Sequence, residues 1–208
     1  ALAFLIDHQP PNLRLVIGSR VDPPLPLPRL RVRDQLREVR VESLRFTQEE
    51  SRAFLKDVMG LRLTPVDVSA LVARTEGWAA GLQLAALSLQ GRPDPAAQIA
   101  SFGGDHPNVA DYLVDEVLAR LPADVQTALM RTAVADHVCA PLAATLLDQS
   151  SESAQATLDS LEHANLFLEC VDRDRHRFYY HQLFAQALRH RLKRSDRNLA
   201  RALHRRCS

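Results

Sequence analysis

Two places in this sequence carry residue types that could meet a phosphate. His181 stands in the phrase YYHQLF, where a short aromatic run gives way to a helical one. Such a junction holds a side chain outward from a rigid element, and the amino end of a helix attracts anions. The same position also suits a histidine bonded to a nearby carbonyl. The second place is Ser19 and Arg20, which follow the apolar run at residues 13–18 (LRLVIG). The length of that run suits a buried strand. In parallel α/β sheets, ligands sit beyond the carboxyl ends of the strands. Arg20 therefore either faces a phosphate or is a surface arginine leaving a strand.

Other chemistries find little footing. The chain has no GxSxG, no HExxH and no GxxxxGK(S/T) phosphate loop. Cys139, Cys170 and Cys207 share no metal-ligand spacing. They point to a reducing, cytoplasmic compartment rather than to disulfides or structural zinc. No catalytic residue and no metal ligand is assigned. The segment 189–206 holds seven arginines and one lysine. A solvated helix face is the plain reading of it, and DNA contact is the sharper one.

The elements that would position these residues are mostly helices. Residues 75–91 (TEGWAAGLQLAALSLQG) read as one helix with a wide apolar face, on which Trp78, Leu82, Ala85, Ala86 and Leu89 recur at helical spacing. Gly91 is placed to cap its carboxyl end. A glycine inside a helix costs about 1 kcal/mol relative to alanine, so Gly81 calls for a close approach by a neighbour or a ligand. Before this stretch, residues 1–7 read as a helix end. Residues 22–28 (DPPLPLP) are too proline-rich to be regular. Residues 36–41 (LREVRV) alternate like an edge strand. Thr47-Gln48-Glu49-Glu50 is a capping box, and Thr64-Pro65 opens a second helix. After it come helices near residues 95–102 and 108–120, so residues 47–120 form a small helical unit. Helices near 123–133, 141–147 and 153–164 precede two strands, 166–171 and 177–180, joined across a polar turn. A last helix spans 182–192. Three helices followed by a two-stranded wing is the order of a winged helix.

The whole chain is 208 residues with 46% hydrophobic residues, only 7 glycines and a formal charge of +1. This composition favours helices and real cores, and gives no global field toward nucleic acid or membrane. No apolar run is long enough to span a bilayer. The apolar opening and the basic helix at the end both read as cut points within a longer protein.

Several phrases together resemble the large ATP-binding LuxR-type transcriptional regulators of the MalT-like kind, which are signal-transduction ATPases with numerous domains. They are NLRLVIGSRVDPPLPLPRLR, LRFTQEE, TEGWAAGLQLAALSL, ADYLVDEVLARLP and ANLFLECVDRDRHRFYYHQLFAQALR. The resemblance implies a mainly α fold: residues 1–46 as the C-terminal edge of an α/β P-loop-type ATPase domain, 47–120 as a helical domain, 121–194 as a winged-helix domain, and 195–208 as the start of a helical-repeat domain. It implies ATP or ADP as cofactor, with Mg in the intact protein, which could be a slow ATPase. A small-molecule inducer and DNA would bind through domains outside this chain, and activation would bring self-association, with no membrane partner.

By position, the resemblance implies that Ser19-Arg20 acts as a first sensor near the γ-phosphate. Gly81-Leu82-Gln83 matches the Gly-x-Pro segment that packs under adenine in related ATPases, with Gln83 in place of the proline. His181 matches the winged-helix histidine that touches the β-phosphate of ADP. An alternative keeps the winged helix as a direct reader of DNA, but residues 153–164 (SAQATLDSLEHA) are acidic rather than basic.

Overall fold

The structure is a computed structural model that describes residues 2–10, 12–19, 21–92, 94–172 and 174–207, apart from the side chains of Val114 and Asp115. Its architecture is mainly helical with one small sheet. The first section holds three short helices, α1 (Leu2–Asp7), α2 (Leu27–Val32) and α3 (Val41–Leu44). The strands expected at 13–18 and 36–41 do not form: residues 13–19 and 35–40 have no regular structure. A strand needs a neighbour to satisfy its amides and carbonyls, and no described residue pairs with either run. Their apolar side chains stay in solvent accordingly, with Val16 at 93% exposure. Among the described residues of this section, Leu30 is the buried apolar side chain. Ion pairs hold it instead, Arg31 to Glu38 at 2.7 Å and Arg40 to Asp22 at 2.6 Å.

At Thr47 the chain becomes densely packed. The Thr47 hydroxyl accepts from the Glu50 amide and the Glu50 carboxylate accepts from the Thr47 amide, so the capping box opens α4 (Gln48–Ala53). A wide π-type turn (Phe54–Val58) continues it to Gly60, which sits at φ 70°. Thr64 and Asp67 form a second capping box at α5 (Pro65–Thr75). The helix expected over 75–91 is shorter than that reading. Glu76 (φ 51°) and Gly77 (φ 72°) both turn left-handed and end α5. Trp78 then caps α6 (Ala79–Leu89). The break is imposed by a neighbour: the Phe46 amide donates to the Gly77 carbonyl at 2.8 Å. A Cβ on Gly77 would stand 3.1 Å from the Phe46 nitrogen and closer still to its carbonyl. Gly91, at φ 72°, lies just beyond the end of α6, where a left-handed glycine terminates helices. Then come α7 (Pro95–Ser101) and α8 (Pro107–Tyr112), the latter running into a second wide turn (Leu113–Val117).

The remainder has winged-helix order. It comprises α9 (Ala123–Thr132), β1 (His137–Val138), α10 (Ala140–Leu147), α11 (Ser151–His163), β2 (Leu168–Cys170) and β3 (Phe178–Tyr180). The sheet order is β1-β3-β2, all antiparallel, with Leu168 opposite Tyr180 and Val138 opposite Phe178. The two-residue β1 was not legible in sequence, since no periodicity fits in two residues. Asp172 shapes the turn of the wing, one carboxylate oxygen accepting the amides of His176 and Arg177 at 2.9 Å each. Last are α12 (Gln182–Ser195) and α13 (Arg197–Arg206). No helix among the described residues is long and apolar enough to cross a membrane.

One hydrophobic core runs through both the helical unit and the winged helix, from Leu55, Leu71 and Leu82 to Leu158, Phe178 and Phe184. The two are joined where α12 lies on Gly103 and Gly104. The Gly104 amide donates to Gln186 Oε1 at 2.7 Å. A Cβ at Gly104 would sit 2.6 Å from the Ala187 nitrogen and nearer still to the Leu183 carbonyl, backbone that has no freedom to retreat. Gly104→Ala is therefore expected to destabilise the protein by about 1–3 kcal/mol through overpacking. Gly18→Ala, where no atom lies within 4 Å of an added Cβ, is expected to be silent in the same urea titration.

Candidate functional site

His181 is the last residue before α12, held where β3 delivers it. Its amide donates to the Phe167 carbonyl at 2.9 Å, which fixes the chain direction into the helix. Phe167 itself adopts φ 57°, an uncommon conformation for a bulky residue, so the loop before β2 is shaped to this contact. The residue is only 6% exposed. It meets the Trp78 ring edge-to-face at 5.7 Å and the Phe167 ring at 6.0 Å. Its Nε2 lies 2.9 Å from the carbonyl oxygen of Thr75. A carbonyl only accepts, so Nε2 carries the hydrogen. Nδ1 is then an acceptor, buried and with no partner among the described residues. Burial pushes the His181 pKa down, and the nearby Glu76 carboxylate and the Thr75 bond pull weakly the other way. The ring is thus neutral at pH 7.

The turn that breaks α5 from α6 supplies the other half of the seam. Glu76, left-handed at φ 51°, points its Oε1 to the Gln182 amide at 2.8 Å and so caps α12 from a different part of the fold. Arg45 stands 3.7 Å from the second oxygen of Glu76 and pairs with Glu169. Glu169 also accepts from the Tyr179 hydroxyl at 2.8 Å. One chain of ion pairs and hydrogen bonds therefore links the segment before α4, the α5–α6 turn, β2, β3 and α12. Burial, with the Glu169 bond, pushes the Tyr179 phenol above its usual range.

The residues singled out in sequence fall in three groups. His181 and Gly81 come together through Trp78. A Cβ on Gly81 would lie 2.8 Å from Trp78 Cε3 and 3.3 Å from Leu183 Cδ1, so the close approach that Gly81 permits is by these neighbours. Leu82 is wholly buried in the same core, and its successor Gln83 is exposed. Ser19 lies apart on an exposed segment, its hydroxyl donating to the Val21 carbonyl at 2.6 Å. Arg20 lies outside the described residues. Sequence reasoning missed Thr75, Glu76, Arg45 and Glu169. An acidic residue before Gly-Trp between two helical patterns was the available signal for Glu76. Thr75 acts through its backbone, on which side-chain identity is silent.

The face by which a winged helix reads DNA is charged the wrong way here. On α11, Asp159 and Glu162 each bind Arg175 of the wing turn at 2.8 Å. The arginine nearest that helix is thereby tied to carboxylates rather than open to phosphate.

Comparison with known proteins fits this architecture. Residues 114–200 match the family described as MalT winged helix domain. That stretch is similar to the winged-helix part of MalT-type regulators. It is 37% identical over 196 residues to the HTH-type transcriptional regulator MalT of Yersinia enterocolitica, covering 92% of this chain and 21% of the relative. A similar match, 37% over 193 residues, is found with MalT of Serratia proteamaculans, with the same coverage. The serine/threonine-protein kinase PknK of Mycobacterium tuberculosis is 38% identical over 208 residues, all of this chain and 19% of that protein. The chain thus spans about a fifth of the length of the curated relatives it matches.

The buried neutral imidazole makes stability depend on pH. Its folded pKa lies below the ordinary 6.5, so the unfolded chain takes up the proton first. The contribution is fully present above that value and is lost as pH falls from it toward the folded pKa. Thermal unfolding of this MalT-like segment should therefore show a falling Tm between about pH 7.5 and 5.5. His181→Asn, which cannot titrate, should give a shallower slope over the same interval, whatever its absolute Tm. Equal slopes would show that His181 is not the titrating group.

Proposed function

We propose that this chain is the nucleotide-state-sensing part of a larger ATP-dependent, LuxR-type transcriptional regulator. It couples ADP or ATP, and an inducer bound elsewhere in the protein, to self-association and activation of transcription. The observation that carries this reading is His181: a buried ring across the seam, with one nitrogen committed to Thr75 and the other without a partner. Where the seam opens, that Nδ1 would be the atom offered to a phosphate. A bound nucleotide would supply an anion there, and His181 would take a proton at Nδ1 and donate toward it while keeping its Nε2 bond. A charge-assisted contact of this kind is about twice as strong as a neutral one. Gly81 and Leu82 fit adenine less well, because their surfaces are already covered by Trp78, Leu183 and the core.

The relatives support a role upstream of any one output. One is named a kinase and the others are named transcriptional regulators, yet a single stretch is similar in all of them. A part common to both suits a switch that precedes either output. The nucleotide would act by binding one arrangement of the seam better than another, since a ligand shifts an equilibrium only by its differential affinity. Direct base reading by the winged helix is disfavoured by the carboxylates of α11. DNA would be read by a domain outside this chain.

The test is ADP affinity by calorimetry on the full-length protein, wild type against His181→Ala. Loss of a charge-assisted hydrogen bond should weaken ADP by about ten- to hundredfold, corresponding to roughly 1.5–3 kcal/mol. Wild-type binding should also take up a proton, seen as a dependence of the measured heat on buffer ionisation enthalpy. Unchanged affinity in a well-folded variant would make His181 a purely structural link.

A further inference from the structure

The basic segment at the end of the chain is folded into a groove that the nucleotide reading does not use. Two cavities open beside α12. One, of about 340 Å³, lies against residues 100–103 and is lined by Arg74, Arg189, His190 and Lys193, with Asp105 as its only carboxylate. The other, of about 440 Å³, is shared with α13 and adds Arg194, Arg197 and Arg201. His190 and Lys193 line both, so the two cavities adjoin along one side of α12.

The charges of this groove are not spent within the fold. Asp196, the one acidic residue between 189 and 206, uses its carboxylate to cap α13, accepting the amides of Asn198 and Leu199 at 2.9 Å. Arg189 is committed to Asp136 and to the Ala133 carbonyl, and anchors the wall of the groove. Lys193, Arg194, Arg197 and Arg201 are exposed and form no ion pair with a described residue. Positions 190, 193, 197 and 201 recur at three- and four-residue steps, although a break at Asp196 separates the two helices. The apolar sides of both helices are engaged elsewhere, Leu192, Ala200 and Leu203 packing on Val134 and Leu146. The cationic side therefore faces out by necessity.

The chemistry selects the occupant. A protein partner would need exposed aromatic or aliphatic anchors at its centre, and none of the large hydrophobics exposed in this chain lies after Val171. Guanidinium and ammonium groups in a row, on a chain whose total charge is only +1, match a repeating anion with no side-chain code to read. We infer that the α12–α13 groove binds the phosphodiester backbone of duplex DNA, without base recognition. The contact is made by Lys193, Arg197 and Arg201, on a surface distinct from α11.

The experiment is fluorescence anisotropy of the 208-residue chain with fluorescein-labelled duplexes of two unrelated sequences, titrated from about 50 to 200 mM salt. Both duplexes should bind equally. Reversing Lys193→Glu, Arg197→Glu and Arg201→Glu together should weaken binding about tenfold or more at low salt, and reduce the log–log salt slope by about three. The milder set K193A, R197Q and R201Q should lose the same contacts, with folding checked by circular dichroism for each. A control reversal with the same charge change, at exposed Arg52, Lys56 and Arg62, should leave binding within about twofold. Equal weakening by the control would overturn the inference in favour of diffuse attraction. Capture of poly-glutamate but not DNA would assign the groove to an acidic protein, and absence of binding to either would leave it a solvated surface and refute the proposal.

Discussion

The hydrogen bond from His181 to the Thr75 carbonyl is the contact on which the arrangement of this molecule turns. It joins the residue before α12 to the last residue of α5, 106 positions earlier. Everything around it is built to hold both ends still. The rings of Trp78 and Phe167 both pack edge-to-face with the imidazole, and Glu76 caps the helix that follows. Because the site is buried, the bond is electrostatically stronger than it would be in water, and the unpartnered Nδ1 is correspondingly expensive. A buried acceptor left unsatisfied costs about 1–3 kcal/mol. At His181 that cost falls on the seam between the two halves of the fold, where a change of partner would alter the relation between them.

Helix geometry makes the seam sensitive. Gly81 lets Trp78 fold back against α6, and the same glycine contacts Leu183 on the first turn of α12. Gly104 lets the backbone of α12 approach within contact distance of the loop after α7. These are backbone-level approaches, and close-packed interiors do not stretch smoothly. A shift of α12 would have to break them together. The charges of Arg45, Glu76 and Glu169, with the Tyr179 hydroxyl, lie at the edge of the same seam, and tie the less densely packed opening section to the winged helix.

Charge is divided among the surfaces of the winged helix in a way the net value hides. The α11 side carries Asp159 and Glu162 and holds Arg175 against them. On the α12–α13 side, Lys193, Arg194, Arg197 and Arg201 form no ion pair with a described residue. The helix that would enter a groove of DNA is acidic, and the surface with free cations lies elsewhere. The carboxylates on α11 would repel a phosphate backbone.

Much of the local structure was determined by the sequence itself. Capping boxes at Thr47 and Thr64, the left-handed glycine after α6 and the order of helices before the wing rest on interactions within a few residues, and these are encoded by side-chain type and spacing. The position of His181 at a strand–helix junction is equally local. Only the tertiary structure decided the rest. Residues 13–18 and 36–41 have the pattern of strands, but a strand exists only with a partner, and pairing is not written in one segment. The end of α5 at Thr75 was hidden because it is set by Phe46, 31 positions before Gly77, whose amide donates to the Gly77 carbonyl and whose backbone crowds that glycine. The partner of His181 is a backbone carbonyl, identical in kind at every residue, so no side chain announces it. Which of those carbonyls it meets follows from how α5, α6 and α12 pack, and packing is a property of the whole core rather than of any stretch within it.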